Sequence, residues 1–160
     1  MKTKIIFTAL LLIAGQLTAQ ADNRDMFQQL SEHRAVTSVF ISRTLLNMVS
    51  NFNTGGADIR SLAGRLTQIE IYNTNGNADA NRIMREGMEK LVESGTYELL
   101  MRIRDEDTNV EFYAHEEEGF FRDLVMYIRD GNDHTLIRLM GRFSAEDIQK
   151  VMDSANNDNE

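Results

Sequence analysis

Two hydrophobic patterns alternate along the chain and predict a mixture of helices and strands. Apolar residues recur at helical spacing over residues 23–34, 45–52 and 80–92, and the last stretch has Asn77 or Asp79 as a possible cap and Gly95 as a stop. β-Branched and aromatic residues mark residues 36–41 as a strand, and strict alternation marks residues 67–72 as another. From residue 98 to residue 140 the alternation predicts an antiparallel meander.

The register of this meander follows from its turns. A loop over residues 105–108 joins the first pair of strands, and Gly131 begins a two-residue turn of type II′ between the second pair. The registers predict these inward pairs: Leu99 with Ala114, Met101 with Phe112, Ile103 with Val110, Leu124 with Leu139, Met126 with Ile137 and Ile128 with Thr135. Because both hairpins place apolar residues on the same face, we expect that face to be the inner one.

These patterns predict one α+β domain over residues 22–153, made mainly of an antiparallel sheet with a carboxy-terminal meander and helices packed on one face. Ser144 and Asp147 resemble a capping box and predict a short last helix. Residues 154–160 form a polar tail that we expect to be disordered.

The outer face of the predicted sheet carries the residue types that are enriched at protein interfaces. Arginines and tyrosines predominate there, interleaved with acidic residues. The candidate binding residues are Arg102, Arg104, Tyr113, Tyr127 and Arg138. An alternative stays open, in which a helix covers this face and the arginines are structural.

The first residues have the pattern of a secretory signal. Lys2 and Lys4 precede a short apolar run, and Ala19 and Ala21 supply small residues for cleavage after either position. The run is shorter than the roughly 20 residues that span a bilayer. We therefore expect residues 1–21 to be a signal peptide and the mature protein to be periplasmic or extracellular, without an integral membrane span.

Composition excludes several classes of function. Removing residues 1–21 takes away two lysines and changes the formal charge from −8 to −10, which disfavours nucleic acid as a partner. The chain has no cysteine, and therefore no disulfide, thiolate metal site or cysteine nucleophile.

Residues 105–116 match part of an EF-hand calcium loop, but Val110 occupies the position that requires glycine. The three histidines lack metal-ligand spacing, and no recognised catalytic motif is present. We expect no metal, no cofactor and no catalytic residues.

Several segments of the chain resemble a secreted family of Bacteroidetes-type bacteria called domain of unknown function 4252. The resemblance lies in residues 37–42, 53–59, 63–71, 95–101, 136–141 and 147–150. It implies the family's fold and an envelope location, and it implies no activity.

The leading functional hypothesis is a non-enzymatic protein-interaction module of the cell envelope that binds a partner protein through the outer sheet face. A small apolar ligand carrier is the second hypothesis, with a cleft lined by Met84, Met88, Met101 and Met126. A hydrolase with an unrecognised site ranks last. The sequence leaves the partner and the oligomeric state open.

Overall fold

The computed structural model describes residues 25–50, 64–147 and 149. Within them, three helices and six strands follow one another along the chain, and residues 145–147 begin a further helical segment after the last strand. In order they are α1 (Met26–Glu32), β1 (Thr37–Ser42), α2 (Arg43–Ser50), β2 (Leu66–Asn73), α3 (Ala78–Glu93), β3 (Glu98–Arg104), β4 (Thr108–Glu117), β5 (Phe120–Asp130) and β6 (Asp133–Phe143). The predicted signal peptide, the helix break at residues 51–56 and the polar tail lie outside the described residues.

The six strands form one antiparallel sheet in the order β1-β2-β6-β5-β4-β3. Strands β3 to β6 are the predicted meander, and α3 carries the chain from β2 across the sheet to the far edge at β3. This architecture confirms the single α+β domain with a mainly antiparallel sheet.

Helix α3 begins and ends where its sequence predicts. The side chain of Asn77 accepts hydrogen bonds from the backbone amides of Asp79 and Ala80 at 3.1 and 3.0 Å, which satisfies two amides that have no partner inside the helix. Gly95 follows the helix with a φ of +68°, a conformation that glycine adopts without strain.

Most of the predicted meander register is confirmed. Met101 pairs with Phe112 and Ile103 with Val110 in the first hairpin, and all three pairs predicted for the second hairpin are present. The pairing of Leu99 with Ala114 is wrong, because the register shifts between Leu99 and Met101. This bulge sets Leu99 opposite Tyr113 and turns its side chain away from the face assigned to it.

Helices α1 and α3 pack on one side of the sheet, which we call the helix face and define by Tyr72, Tyr113, Val125, Tyr127 and Leu136. Met26 and Leu30 of α1 join Met84 and Met88 of α3 in one buried cluster with these five residues. The two helices meet at Gly87, where a Cβ atom would collide with the side chain of Met26.

Helix α2 packs near one end of the opposite side of the sheet. Its buried Leu46 joins Leu66, Ala114, Leu124 and Phe143 in a second cluster. Beyond β6, Ser144 and Asp147 cap each other: the backbone amide of Ser144 donates to Asp147 Oδ2 at 2.8 Å, and the amide of Asp147 donates to Ser144 Oγ at 3.3 Å. The capping box predicted at this position is therefore present.

Candidate interaction surface

The candidate binding face lies beneath α1 and α3. Tyr113 and Tyr127 are only 6% and 3% exposed and belong to the core that these helices bury. Arg138 is largely buried as well, whereas Arg102 and Arg104 lie exposed on the edge strand β3. The prediction that this is the outer face is therefore wrong for the two tyrosines and Arg138, and a binding role for Arg102 and Arg104 stays a prediction.

The physical reason is that the tyrosine rings themselves provide the apolar surface on which the helices pack. Burial raises the pKa of Tyr127 to about 12, and burial together with the neighbouring Glu70 raises the pKa of Tyr72 still further. These hydroxyls are therefore neutral at physiological pH. An aromatic body with one polar end suits a layer between a sheet and a helix.

Arg138 is the centre of a buried ion cluster on the helix face. Its Nε and Nη2 atoms donate to Asp123 Oδ2 at 2.8 and 2.6 Å, and its Nη1 atom lies 3.5 Å from Glu70 Oε2. Tyr97 donates a further hydrogen bond to Asp123 Oδ2 at 2.9 Å. The guanidinium also stacks on Phe27 of α1, with Cζ 3.9 Å from the ring centroid. Burial opposes the charge of Arg138, but its hydrogen bonds to Asp123 raise its pKa overall.

A second polar cluster surrounds Glu111, nearer to β3. Arg102 Nε donates to Glu111 Oε1 at 2.9 Å, Tyr113 donates to Oε2 at 3.2 Å, and Arg129 Nη2 lies 3.8 Å from Oε1. Three of the predicted binding residues are therefore engaged with carboxylates inside the fold: Arg102, Tyr113 and Arg138. Their pairing within the molecule explains their interleaving with acidic residues along the sequence.

The other side of the sheet has the opposite character. We call it the open face and define it by two rows that cross all six strands. One row comprises Thr37, Asn73, Thr135, Ile128, Val110 and Ile103, and the other comprises Val39, Ile71, Ile137, Met126, Phe112 and Met101. Nine of these twelve residues are apolar, and the second row is apolar throughout.

None of these twelve side chains is fully buried by the described residues. Val39 is 43% exposed and Ile103 is 52% exposed at the two edges, and the central Met126 and Ile137 are half-buried. In the described part of α2, Leu46 covers the neighbouring row, Phe112 packs at the edge of that cluster, and Leu45 and Met48 are 47% and 56% exposed. The face predicted to be the inner one is thus the side that the described helices leave most accessible.

Acidic side chains border the open face at one end of the sheet. The β3–β4 and β5–β6 turns lie side by side there, since the amide of Gly131 donates to the carbonyl oxygen of Asp107 at 3.1 Å. We call this border the acidic end; it comprises Asp105, Glu106, Asp107, Asp130 and Asp133. Hydrogen bonds from Asn73, Gly76 and Thr74 keep Asp133 ionised by lowering its pKa, and the other four are exposed.

The four methionines proposed for a ligand cleft do not share one cavity. Met84 and Met88 are buried between α3 and the helix face, whereas Met101 and Met126 lie on the open face. A separate cleft of about 1080 Å³ follows α1 and α3, with Tyr97 and Arg138 among its lining residues. Its rim alternates acidic and basic side chains, including Glu86 and Lys90.

The histidines are separated and have structural partners. His33 Nε2 lies 3.4 Å from Asp79 Oδ2, the ring of His115 packs against Tyr97, and Tyr127 Oη lies 3.0 Å from His134 Nδ1. Burial lowers the pKa of His134, and the nearby Arg129 and Arg85 lower it further against the opposing effect of Asp133. Within the described residues, no group of three or more His, Asp and Glu side chains is arranged to hold a metal ion.

Sequence reasoning missed the open face because alternation assigns residues to two sides without saying which side the helices cover. Two signals could have helped. The helix face places opposite charges directly across strands, as in Glu70 with Arg138 and Arg102 with Glu111, and cross-strand ion pairs reduce the cost of covering a polar face. The acidic turns at residues 105–107 and 130–133 also follow strands whose alternate residues are apolar.

Comparison with known proteins gives one match. The family model described as Domain of unknown function (DUF4252) matches residues 27–151. The chain matches no curated protein and no solved structure. Among the described helices, none has the length and apolar character required to cross a membrane.

Proposed function

Since the chain belongs to the family described as domain of unknown function (DUF4252), we propose from the structure that it is a non-enzymatic interaction module whose open face binds a partner protein of the cell envelope. The proposal includes export through residues 1–21 to the periplasm or beyond. It transfers the binding role predicted for the outer sheet face to the opposite side of the same sheet.

The observation that carries the proposal is the accessibility of the open face. Five strand spacings make it about 24 Å wide, and its two rows of side chains, each spanning two residues along a strand, make it about 14 Å long. Its area, roughly 340 Å², lies in the range of the largest apolar patches on monomeric proteins, which often mark interaction sites. Antiparallel sheets ordinarily expose their polar side and cover their apolar side, whereas here α1 and α3 cover the polar one.

The acidic end indicates the chemistry of the partner. Asp105, Glu106, Asp107 and Asp130 are exposed beside the row that runs from Thr37 to Ile103. A partner that buries the open face would bring its own rim close to these carboxylates. We therefore propose a partner segment with an apolar surface bordered by lysine or arginine, because complementary charge speeds association and rejects acidic competitors.

An apolar ligand carrier ranks second. The cleft along α1 and α3 has the volume for a small ligand, but its mixed charged rim and the dispersal of the four methionines do not favour an apolar one. A hydrolase ranks last, because no described carboxylate, histidine and serine form a catalytic arrangement.

Site-specific photocrosslinking in cells tests the interaction. A photoreactive amino acid replaces Val39 in one variant and Ile103 in another, and a third variant carries it at Phe40. Phe40 is the matched control because it neighbours Val39 on the same edge strand and is 64% exposed, but it points to the opposite side of the sheet. We expect Val39 and Ile103 to crosslink to the same envelope protein, at peptides rich in apolar and basic residues, and Phe40 not to do so.

Lysine substitutions then test whether the open face is required. In these variants the photoreactive amino acid is placed at a third position of the open face. The double variant Val39→Lys, Ile103→Lys should lose the crosslink to the partner, whereas the single variant Phe40→Lys should retain it. Crosslinked peptides that come only from the same chain or from a second copy of it would contradict the proposed partner. Equal labelling of one partner from Val39 and Phe40 would contradict the assignment to the open face.

A further inference from the structure

A second surface feature lies at the end of the sheet opposite the acidic end. It is a pocket of about 420 Å³ whose lining, as far as the described residues show it, includes four arginines and no carboxylate. The arginines come from separate parts of the fold: Arg43 begins α2, Arg65 precedes β2, Arg122 lies in β5 and Arg142 lies in β6. We call this site the arginine pocket; its other lining residues are Gly64, Thr67, Phe120 and Gly141.

The four guanidinium groups have few carboxylate partners in the described parts of the chain. Arg65 pairs with Asp147 at 2.6 Å, and Arg122 lies 3.4 Å from Glu117 and 3.9 Å from Glu118. Arg43 and Arg142 form no ion pair with any described residue. The Nε atom of Arg122 is the atom that lies 3.4 Å from Glu117 Oε2, but it is buried and forms no hydrogen bond with any described residue.

This arrangement is costly without a ligand. Like charges that line one pocket repel each other, and a buried N–H group whose nearest acceptor forms no hydrogen bond with it carries a desolvation cost. The chain has 25 Asp and Glu against 17 Lys and Arg, so carboxylates are abundant, yet none of those in the described residues lines this pocket. A bound anion would offset both costs.

The pocket also holds one arginine in a defined orientation. The guanidinium of Arg142 lies over the ring of Phe120, with Cζ 3.7 Å from the centroid. Stacking of this kind fixes the guanidinium plane while its edge remains free to donate hydrogen bonds. A planar, oriented guanidinium can bind two oxygens of a phosphate or carboxylate at once.

We propose that the arginine pocket binds a phosphoryl group carried by a small molecule or by a lipid headgroup. A phosphate monoester offers two negative charges and three terminal oxygens to the four arginines that line the pocket, whereas a carboxylate offers one charge and two oxygens. The pocket volume lies within the range of roughly 300–1,000 Å³ that is usual for small-molecule sites, so there is room for more than the phosphoryl group. This site is separate from the open face and does not depend on a protein partner.

Calorimetric titration of the purified full-length protein with pyrophosphate, at constant ionic strength, tests the proposal. Arg142→Gln should weaken pyrophosphate binding by about tenfold or more, because charged hydrogen bonds contribute this much individually. Arg104→Gln is the matched control: it makes the same change at an exposed strand arginine beside the acidic end, and it should change the affinity less than twofold. Arg43→Gln, at the start of α2, should weaken binding in the same way as Arg142→Gln.

Thermal melting separates binding from folding. Pyrophosphate should raise the Tm of the wild type and of Arg104→Gln, and should raise that of Arg142→Gln much less. If Arg142→Gln does not fold, Arg43→Gln provides the same comparison. The pyrophosphate site would be overturned if the wild-type protein bound no pyrophosphate. It would also be overturned if Arg142→Gln and Arg104→Gln weakened the affinity for pyrophosphate equally.

Flotation with vesicles that contain phosphatidic acid, a lipid whose headgroup is a phosphate monoester, distinguishes the two sources of the phosphoryl group. Flotation that Arg142→Gln abolishes, without measurable binding of pyrophosphate, would identify a lipid headgroup. Pyrophosphate binding without flotation would identify a soluble ligand. Failure of both assays would overturn the proposal, whatever the outcome of the crosslinking at Val39 and Ile103.

Discussion

Arg138 and Arg102 give a sharp test of the fold, because both were predicted to lie on one outer face and the structure gives them different environments. The side chain of Arg138 is 20% exposed and that of Arg102 is 49% exposed. Arg138→Ala and Arg102→Ala make the same chemical change, the loss of one guanidinium group from a strand. The two variants should nevertheless differ strongly in their free energy of unfolding.

Arg138→Ala leaves Asp123 buried with an unbalanced charge. Asp123 is 6% exposed, its Oδ2 atom would retain only the hydrogen bond from Tyr97, and its Oδ1 atom has no partner among the described residues. Breaking a buried ion pair by removing one partner costs about 3–5 kcal/mol. The loss of stacking on Phe27 adds to this cost, so we expect at least about 3 kcal/mol.

Arg102→Ala should cost about 1 kcal/mol or less, since its partner Glu111 keeps Tyr113 and Arg129 as neighbours and half of the Arg102 side chain is in solvent. Urea denaturation of both variants, followed by circular dichroism, measures the difference. A double-mutant cycle of Arg138→Ala with Asp123→Ala should show a favourable coupling of the two side chains. An Arg138→Ala variant within about 1 kcal/mol of wild type would refute the buried cluster, because exposed ion pairs contribute no more than that.

Three further predictions follow from the packing of the helix face. Gly87→Ala should lower stability by about 1–3 kcal/mol because its methyl group would overlap Met26, and Met26→Ala should compensate in part when both changes are combined in a melting series. Leu136→Ala should cost about 2–5 kcal/mol, whereas Leu99→Ala, at a side chain 39% exposed, should cost much less in the same urea assay. The pKa of His134 is lower in the folded protein than its ordinary value, so its protonation favours the unfolded state and stability should fall as the pH drops through about 6.5. His134→Asn should flatten that decline in the free energy of unfolding between pH 7 and 5. An unchanged slope in this variant would contradict the prediction.

The meander was predictable because its registers depend on local information. Gly131 permits the positive φ of +53° that the tight turn needs. Once the turn is placed, alternation on either side of it determines the pairs between β5 and β6, from Leu124 with Leu139 to Ile128 with Thr135. The cap at Asn77 and the capping box at Ser144 are local in the same sense. The bulge that displaces Leu99 was not predictable, because no glycine or other turn residue marks it.

The side on which the helices pack was not predictable from alternation, which is symmetric between the two sides of a sheet. Tyr72, Tyr113 and Tyr127 resemble a solvated face by residue type, yet their rings form the surface under α1 and α3. The ion cluster of Arg138 and Asp123 includes Glu70 because β2 pairs with β6, and these two strands are distant in the chain. The same is true of the arginine pocket, whose four arginines lie between residues 43 and 142.

Carbene footprinting of the isolated full-length monomer tests the central claim most directly, namely that the apolar side of the sheet is accessible and the tyrosine side is covered. A diazirine reagent labels accessible C–H groups irrespective of charge. We predict labelling of Val39, Met126, Ile137 and Ile103 and protection of Val125 and Leu136, followed by protection of the first four when the crosslinked partner is added. Protection of Met126 and Ile137 in the isolated monomer would mean that the chain covers this face itself, and would contradict the proposed interaction surface.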